Sequence, residues 1–490
     1  MPPDLTRDPV IAAPQTRPPL AEPPIPGGKV EAQMGKLIKV LSSSLLTRPK
    51  VAITLSGLGL AGVAFVGLCA PNPATVSVLL PLTDLARRLG APTGLSNVWT
   101  NLIMYPAILL CCLGLAGMLW ANSQGWNPNP RKVFWTAVGV VAVCVNISPV
   151  GSSDTASYAA YGRIAALGKD PYVFTPYDLP HHDHNVYTQL VGSAWTHTAS
   201  VYGPVATWIQ LFAAKLGGTR PWATIWIIMI CTAIAFVLAG YVLLRTAENP
   251  VRACLLWVAN PLLIEQLIFG GQLDAYVALA GIVAILISRR GSNIWHDAAA
   301  GVIVGIAGGI KITAVIVAMG IAVPLLRERA WWRLARTAVV AMATFAALYG
   351  SSYGLHALKR TLDDATMVIS PSVWRLVQIG FDHLYPADKA TISTVFACLW
   401  PPLTLALAWY LYNRLSPDVP AAVAATCALT FAWVIVMPWS LPWYASVAWV
   451  TLALLPRNTL TRWLTLATGT LALLHFNGGH PMNTPLGPTP

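Results

Sequence analysis

Asp154 stands in the stretch GSSDTASYAAYGRIAALGKDPY, residues 151–172, which is polar and glycine-rich and starts where an apolar run ends. Arg163 and Asp170 share that stretch. Two more ionisable residues sit at glycine-marked breaks in apolar sequence: Asp274 in Phe269-Gly-Gly-Gln-Leu-Asp274, and Lys311 in Gly308-Gly-Ile-Lys-Ile-Thr313. Such groups at a membrane edge are costly unless paired or used, which makes them functional candidates. A carboxylate can act as a general base, and lysine or arginine can take up the charge of a phosphate. Tyrosine and tryptophan can orient a sugar or stack on its face. A carboxylate on a rim, cations and tyrosines beside it and a hydrophobic bundle below suit the transfer of a sugar from a lipid phosphate. Structural readings stand beside these: Asp154 as a helix N-cap, Asp274 and Lys311 as an ion pair joining two helix breaks, and Trp443 and Tyr444 as part of an interfacial belt.

The elements that must position these residues are membrane helices. Of 490 residues 56% are hydrophobic and 10% charged, against about a quarter charged in a soluble domain. Apolar runs at 51–70, 100–121, 133–150, 222–244, 337–355, 391–413, 420–437 and 460–476 are each of a length to cross a hydrocarbon core, and shorter ones fill 204–217, 253–288, 297–326 and 442–455. The runs are continuous rather than alternating, which predicts an all-α polytopic bundle of about a dozen crossings in preference to a barrel. The eight cysteines all fall inside apolar runs, so none is placed for a loop disulfide or a thiolate metal site. The formal net charge of +12 comes from basic residues at the ends of apolar runs, which is positive-inside usage rather than a nucleic-acid surface.

Residues 1–28 are proline-rich and predict a disordered tail; 29–476 form the membrane domain, and 477–490 a flexible C-terminal tail. Lys29, Lys36, Lys39, Arg48 and Lys50 precede the first span and put the N-terminus in the cytoplasm of a plasma-membrane protein. No cleavable signal peptide is visible. Carried along the chain, this orientation sends Asp154, Asp274, Lys311, the loops at about 151–203 and 356–390 and the turn Met437–Tyr444 to the extracytoplasmic side. The count closes if 204–217 is re-entrant or interfacial; with Arg245 as an outer residue instead, Asp274 and Lys311 change sides.

His181-His-Asp-His184 and Asp363-Asp364 invite metal readings, but neighbours in sequence rarely point at one ion, and solvated loops are expected there. No Walker loop, dinucleotide fingerprint or zinc helix motif is present.

Several strings resemble a known family. Ser153-Asp154 with Tyr158, Tyr161-Gly162-Arg163, Gly168 and Asp170-Pro171-Tyr172 looks like the first extracytoplasmic loop of the polyprenyl-phosphomannose-dependent α-1,6-mannosyltransferases of mycolic-acid bacteria, membrane enzymes of the GT-C superfamily. Ser200-Val201-Tyr202-Gly203-Pro204, Asn260-Pro261, Gly270-Gly271-Gln272-Leu273-Asp274, Lys311, Ser370-Pro371 and Pro442-Trp443-Tyr444 extend the resemblance over about residues 150–445. Members usually carry His-Asn-Asp where this chain has Gln272-Leu273-Asp274.

The resemblance implies a GT-C-type bundle of about 12–13 helices with its active site in extracytoplasmic loops. It implies Asp154 as catalytic base of an inverting transfer, which follows the geometric logic of inverting glycoside hydrolysis with a sugar hydroxyl in place of water. Candidates for the donor phosphate are Lys311, Arg163 and Arg375. Candidates for sugar or acceptor contacts are Asp274, Tyr202, Tyr158, Asp170, Tyr172, Gln272, Trp443 and Tyr444. The implied donor is polyprenyl phosphomannose and the acceptor an α-1,6-mannan on a lipid-anchored glycan of the lipomannan or lipoarabinomannan type; no cofactor, no metal and no nucleic acid are expected. Competing readings are a polyprenyl-phosphoarabinose-dependent arabinosyltransferase, a secondary transporter or lipid flippase with broken helices, and a structural scaffold.

Overall fold

The computed structural model describes residues 48–475, apart from 292, 352–353, 364–367, 369–371 and 385–388. They belong to one compact unit, Leu46–Pro490. The tails expected at 1–28 and 477–490, together with Asp364, Ser370 and Pro371, lie outside the described residues.

Among the described residues there is no strand, only an isolated bridge between Thr75 and Val150. The helices are α1 (Pro49–Leu68), α2 (Pro81–Arg88), α3 (Asn97–Ser123), α4 (Pro130–Cys144), α5 (Asp154–Ala166), α6 (His181–Tyr187), α7 (Pro204–Gly217), α8 (Pro221–Thr246), α9 (Pro250–Leu256), α10 (Asp274–Ser288), α11 (Ile294–Ile310), α12 (Val315–Arg327), α13 (Trp331–Gly350), α14 (Gly354–Asp363), α15 (Val373–Leu384), α16 (Lys389–Tyr412), α17 (Ala421–Val436), α18 (Ser446–Leu452) and α19 (Leu460–His475). Asn-Pro recurs as a start signal. Asn129, Asn249 and Asn260 each accept backbone N–H groups of the turn that follows, and the proline at the first helical position gives up only a donor that has no helical partner.

Among the described residues five apolar segments are long enough to cross a membrane: Pro49–Leu68, Asn97–Ser123, Pro221–Thr246, Pro250–Phe269 and Thr394–Tyr412. Leu58, Leu102, Val339, Met342, Leu403 and Trp409 face outward, as lipid contact demands. The protein is an all-α polytopic membrane protein.

Basic side chains close one end of the bundle by satisfying carbonyls at helix ends. Buried Arg252 donates to the carbonyls of Leu452 at 3.1 Å and Leu455 at 2.6 Å, and Arg457 donates to those of Ser123 and Asn122 at 3.1 and 2.5 Å. Arg333 and Arg336 converge on Asp297 at 3.1 and 2.6 Å. The basic surplus is thus partly spent on helix ends and ion pairs.

The opposite end holds Asp154, the turn after Phe269, and Lys311. Both ends of α7 belong to it: Gly203 N donates to the Ile310 carbonyl at 3.0 Å, and the Tyr187 hydroxyl donates to the Gly218 carbonyl at 3.2 Å. Trp226, near the start of α8, bonds Asn146 at the end of α4, at 3.2 Å. So α7 runs beside α5 instead of from end to end, and α8 makes the next pass.

Candidate active site

Three chain segments meet at this end, and two glycines permit the approach. Gly271 adopts φ +61°, and a Cβ there would stand 2.3 Å from Cγ2 of Thr155 on α5. Gly203 has no such φ, but a Cβ would stand 2.2 Å from the Gly309 carbonyl oxygen. The first contact seats the Gly-Gly-Gln-Leu-Asp turn on α5; the second brings Tyr202 to the break that carries Lys311. An L-residue at a left-handed position costs about 1–3 kcal/mol before any clash. Gly271→Ala is therefore expected to lower the thermal midpoint in detergent by several degrees, whereas Gly139→Ala, with open space around it, leaves it unchanged.

Asp154 is the first residue of α5, and Ser153, at the N-cap, makes no side-chain cap bond. The Tyr158 hydroxyl, one turn on, is 3.4 Å from Asp154 Oδ2 and 3.1 Å from Gln272 Oε1. The Tyr158 and Tyr202 rings meet edge to face at 5.0 Å. Burial raises the Asp154 carboxyl above its ordinary range; the charge of Lys311 and hydrogen bonds with Gln272 and Tyr158 pull it partly back. Across the site Lys311 Nζ donates to both Asp274 oxygens, at 3.1 and 2.9 Å, and lies 4.0 Å above the Tyr444 ring. The pair joins the first residue of α10 to the residue after α11, and the ammonium still reaches a cavity.

That cavity has a volume of about 480 Å³. Asp154, Tyr202, Lys311, Trp443 and Tyr444 line its polar part, and Ile312, Val315, Ile316, Met319, Trp400, Pro401, Leu405 and Leu429 its apolar part, between α12, α16 and α17.

A family model described as "Alpha-(1->6)-mannopyranosyltransferase, N-terminal domain" matches residues 56–327, more than half of the chain. The chain belongs to this family. It is similar to alpha-(1->6)-mannopyranosyltransferase A of Mycobacterium tuberculosis, 26% identical over 433 residues that cover 81% of this chain and 78% of that protein. Alpha-(1->6)-mannopyranosyltransferase B of Corynebacterium glutamicum is 27% identical over 190 residues, 36% of this chain and 31% of that one. A further M. tuberculosis alpha-(1->6)-mannopyranosyltransferase is 31% identical over 147 residues, 29% of this chain and 25% of the relative. No solved structure matches. The family-matched region includes Asp154, Tyr202, Asp274 and Lys311; Trp443 and Tyr444 lie beyond it.

The other residues read from the sequence are held elsewhere. Arg163 Nε and Nη2 pair with Asp183 at 3.1 and 3.3 Å, and the arginine does not line the cavity. This also corrects the reading of residues 181–184 as solvated loop: they open α6, with Asp183 buried at 3% exposure. Asp170 accepts from Tyr172 N at 2.9 Å and pairs with His356 Nδ1 at 2.7 Å. The Tyr172 hydroxyl meets Thr207 Oγ1 at 2.7 Å, and its ring packs with Tyr349 and Ala357. Arg375 bonds Gln378 at 2.9 Å. Asp170, Tyr172 and Arg375 are absent from the cavity wall. Tyr158, Gln272 and Asp274 stand behind it as partners of Asp154 and Lys311. Among the described residues no group of three or more His, Cys, Asp or Glu side chains is placed to hold a metal ion.

Sequence reasoning missed Ser157 and Tyr161, cavity residues on the same side of α5 as Asp154, and Trp195, Trp433, Trp439 and His475. Trp195 and Trp439 meet edge to face at 6.1 Å, Trp433 stacks on Tyr444 at 5.2 Å, and Trp443 meets His475 at 5.3 Å. The helical spacing of 154, 157 and 161 is the signal that would have found the first two.

Proposed function

We propose that this protein transfers mannose from polyprenyl phosphomannose to an α-1,6-mannan acceptor on a lipid-anchored glycan of the lipomannan type, with inversion at the anomeric carbon. The observation that carries the reading is one cavity in which a carboxylate, a buried ammonium and an apolar cleft meet. Family membership supports the sugar and linkage. Asp154 takes the proton of the acceptor hydroxyl as its oxygen bonds to the anomeric carbon. The bond from that carbon to the phosphate oxygen breaks, its electron pair stays with the phosphate, and polyprenyl phosphate leaves. Lys311 balances the charge that develops there; the apolar cleft takes the lipid chain, and Tyr202, Trp443 and Tyr444 orient the sugars. The phosphate departs without a general acid, and no metal enters the step. The basic end faces the cytoplasm by the positive-inside rule, which puts the cavity on the extracytoplasmic side.

The test is transfer of radiolabelled mannose from synthetic polyprenyl phosphomannose to a short α-1,6-mannoside by purified protein. Transfer is expected to persist in EDTA. Activity with the arabinose donor alone would overturn the choice of sugar, and inertness with both donors would overturn the transferase reading.

A further inference from the structure

Gln272 stands among the residues expected to touch sugar, yet only 1% of it is exposed and it is absent from the cavity wall. Its whole polar capacity is directed at the protein. Oε1 accepts the Tyr158 hydroxyl at 3.1 Å, Nε2 donates to the Gly270 carbonyl at 3.4 Å, and the side chain stands beside Asp154, whose ionised form it favours. The amide can face only one way. The Gly270 carbonyl and an ionised Asp154 accept and cannot donate, so they require the NH₂ group, and Oε1 takes its share of the one hydroxyl proton that Tyr158 divides between Gln272 and Asp154. The backbone beneath is fixed as well, because Gly271, at φ +61°, is pressed against Thr155 of α5. The turn from the π-helix Ile264–Phe269 into α10 thus carries Gln272 to the Asp154 side and Asp274 to the Lys311 side.

We propose that Gln272 is a positioning residue for the base: through Tyr158 and its own amide it fixes the Asp154 carboxylate in its ionised form, with an oxygen left to the cavity. The inference rests on the reading of Asp154 as base. Gln272 suits the task because it is neutral. It lends a hydrogen-bond donor to the carboxylate without adding a charge or a second titration next to it. The charged and titratable groups that surround Asp154 are Tyr158 on its own helix, Tyr202 ahead of α7, Asp274 at the start of α10, Lys311 after α11 and Tyr444 in the loop before α18. Only Lys311 among them is cationic, and Asp274 already holds it. The donor from Gln272 is therefore a separate support for the ionised carboxylate.

The experiment compares pH profiles of mannosyl transfer for wild type, Gln272→Glu, Gln272→Leu and Asp154→Asn. Gln272→Glu keeps the shape of the side chain but adds a second acid, so the two carboxyls share a proton. The acidic limb of kcat/KM is expected to move up by at least about one pH unit, with transfer recovered in alkaline buffer. Gln272→Leu removes donor and acceptor together and lets the carboxylate and the Tyr158 hydroxyl lose their fixed arrangement; kcat is expected to fall about tenfold or more, within the range of a general base's contribution. KM for donor and acceptor stays near wild type in both. A raised KM with unchanged kcat and limb would make Gln272 a substrate contact, and a lowered thermal midpoint with an unmoved limb would make it mere packing; either overturns the proposal. Failure of the underlying reading looks different: Asp154→Asn then transfers as well as wild type.

Discussion

Asp154→Asn is expected to fold like wild type and to lose about 10²- to 10⁴-fold in transfer rate, the usual contribution of a general base. The substitution keeps the size of the side chain and one oxygen acceptor, which a flip of the amide sets where Oδ2 stands, so the Tyr158 hydroxyl at 3.4 Å retains a partner and the thermal midpoint should hold. What disappears is the group that takes the acceptor's proton. The pH profile gives an independent check. Burial holds the Asp154 carboxyl above the ordinary range, and only its ionised form can accept a proton. Wild-type rate is therefore full above that raised pKa and falls as pH drops through it, at a pH higher than the ordinary value of about 3.9 would give. The asparagine variant has no such limb. Donor binding, measured separately, should be unchanged, because the lipid cleft and Lys311 are intact. Wild-type transfer by the variant would remove the base, and a flippase assay in vesicles would become the next measurement.

How much of this site was legible depended on where each residue stood relative to the bilayer and to its own helix. Asp154 and Lys311 could be found because a carboxylate or an ammonium next to an apolar run is expensive, so residue type and position restrict what it can be doing. The turns at Gly270-Gly271 and Gly308-Gly309 were legible for a related reason: glycine pairs in long apolar stretches mark where a pass ends. Arg163 is close to Asp154 in sequence but not in space. It is nine residues beyond Asp154 on α5, and at about 100° per residue that is half a turn away, on the opposite face. There it meets Asp183, a partner no spacing rule predicts. Asp170 and Tyr172 follow the helix and turn toward His356 and Thr207, tertiary partners from distant segments. The tryptophans were obscured by number: with twenty in the chain and a membrane belt able to absorb them, Trp195 and Trp439 carried no mark of a shared cavity. His475 ends the last of the described helices, where sequence offers nothing to tie it to a loop more than thirty residues earlier.

Lys311→Met should have two effects that can be separated. The first is on stability. Lys311 and Asp274 are buried together, with side-chain exposures of 12% and 6%, and breaking a buried pair from one side costs about 3–5 kcal/mol because the remaining charge is left without compensation. The second is on chemistry, since the ammonium is the one cation of the six charged candidates Asp154, Arg163, Asp170, Asp274, Lys311 and Arg375 that lines the cavity. Loss of a preorganised group that balances developing charge typically costs about 10²- to 10³-fold in rate. The double variant Lys311→Met with Asp274→Asn divides the two. Removing both charges leaves no orphan carboxylate, so the thermal midpoint should recover most of what Lys311→Met loses. Transfer should stay at least about 10²-fold down, with a weakened KM for the lipid-phosphate donor, because the site still lacks its cation. A double variant that regains both midpoint and turnover would reduce the Asp274–Lys311 pair to a strut between two helix breaks. A double variant that regains the midpoint alone assigns the ammonium to the leaving phosphate, and leaves Asp274 the task of holding it there against Tyr444.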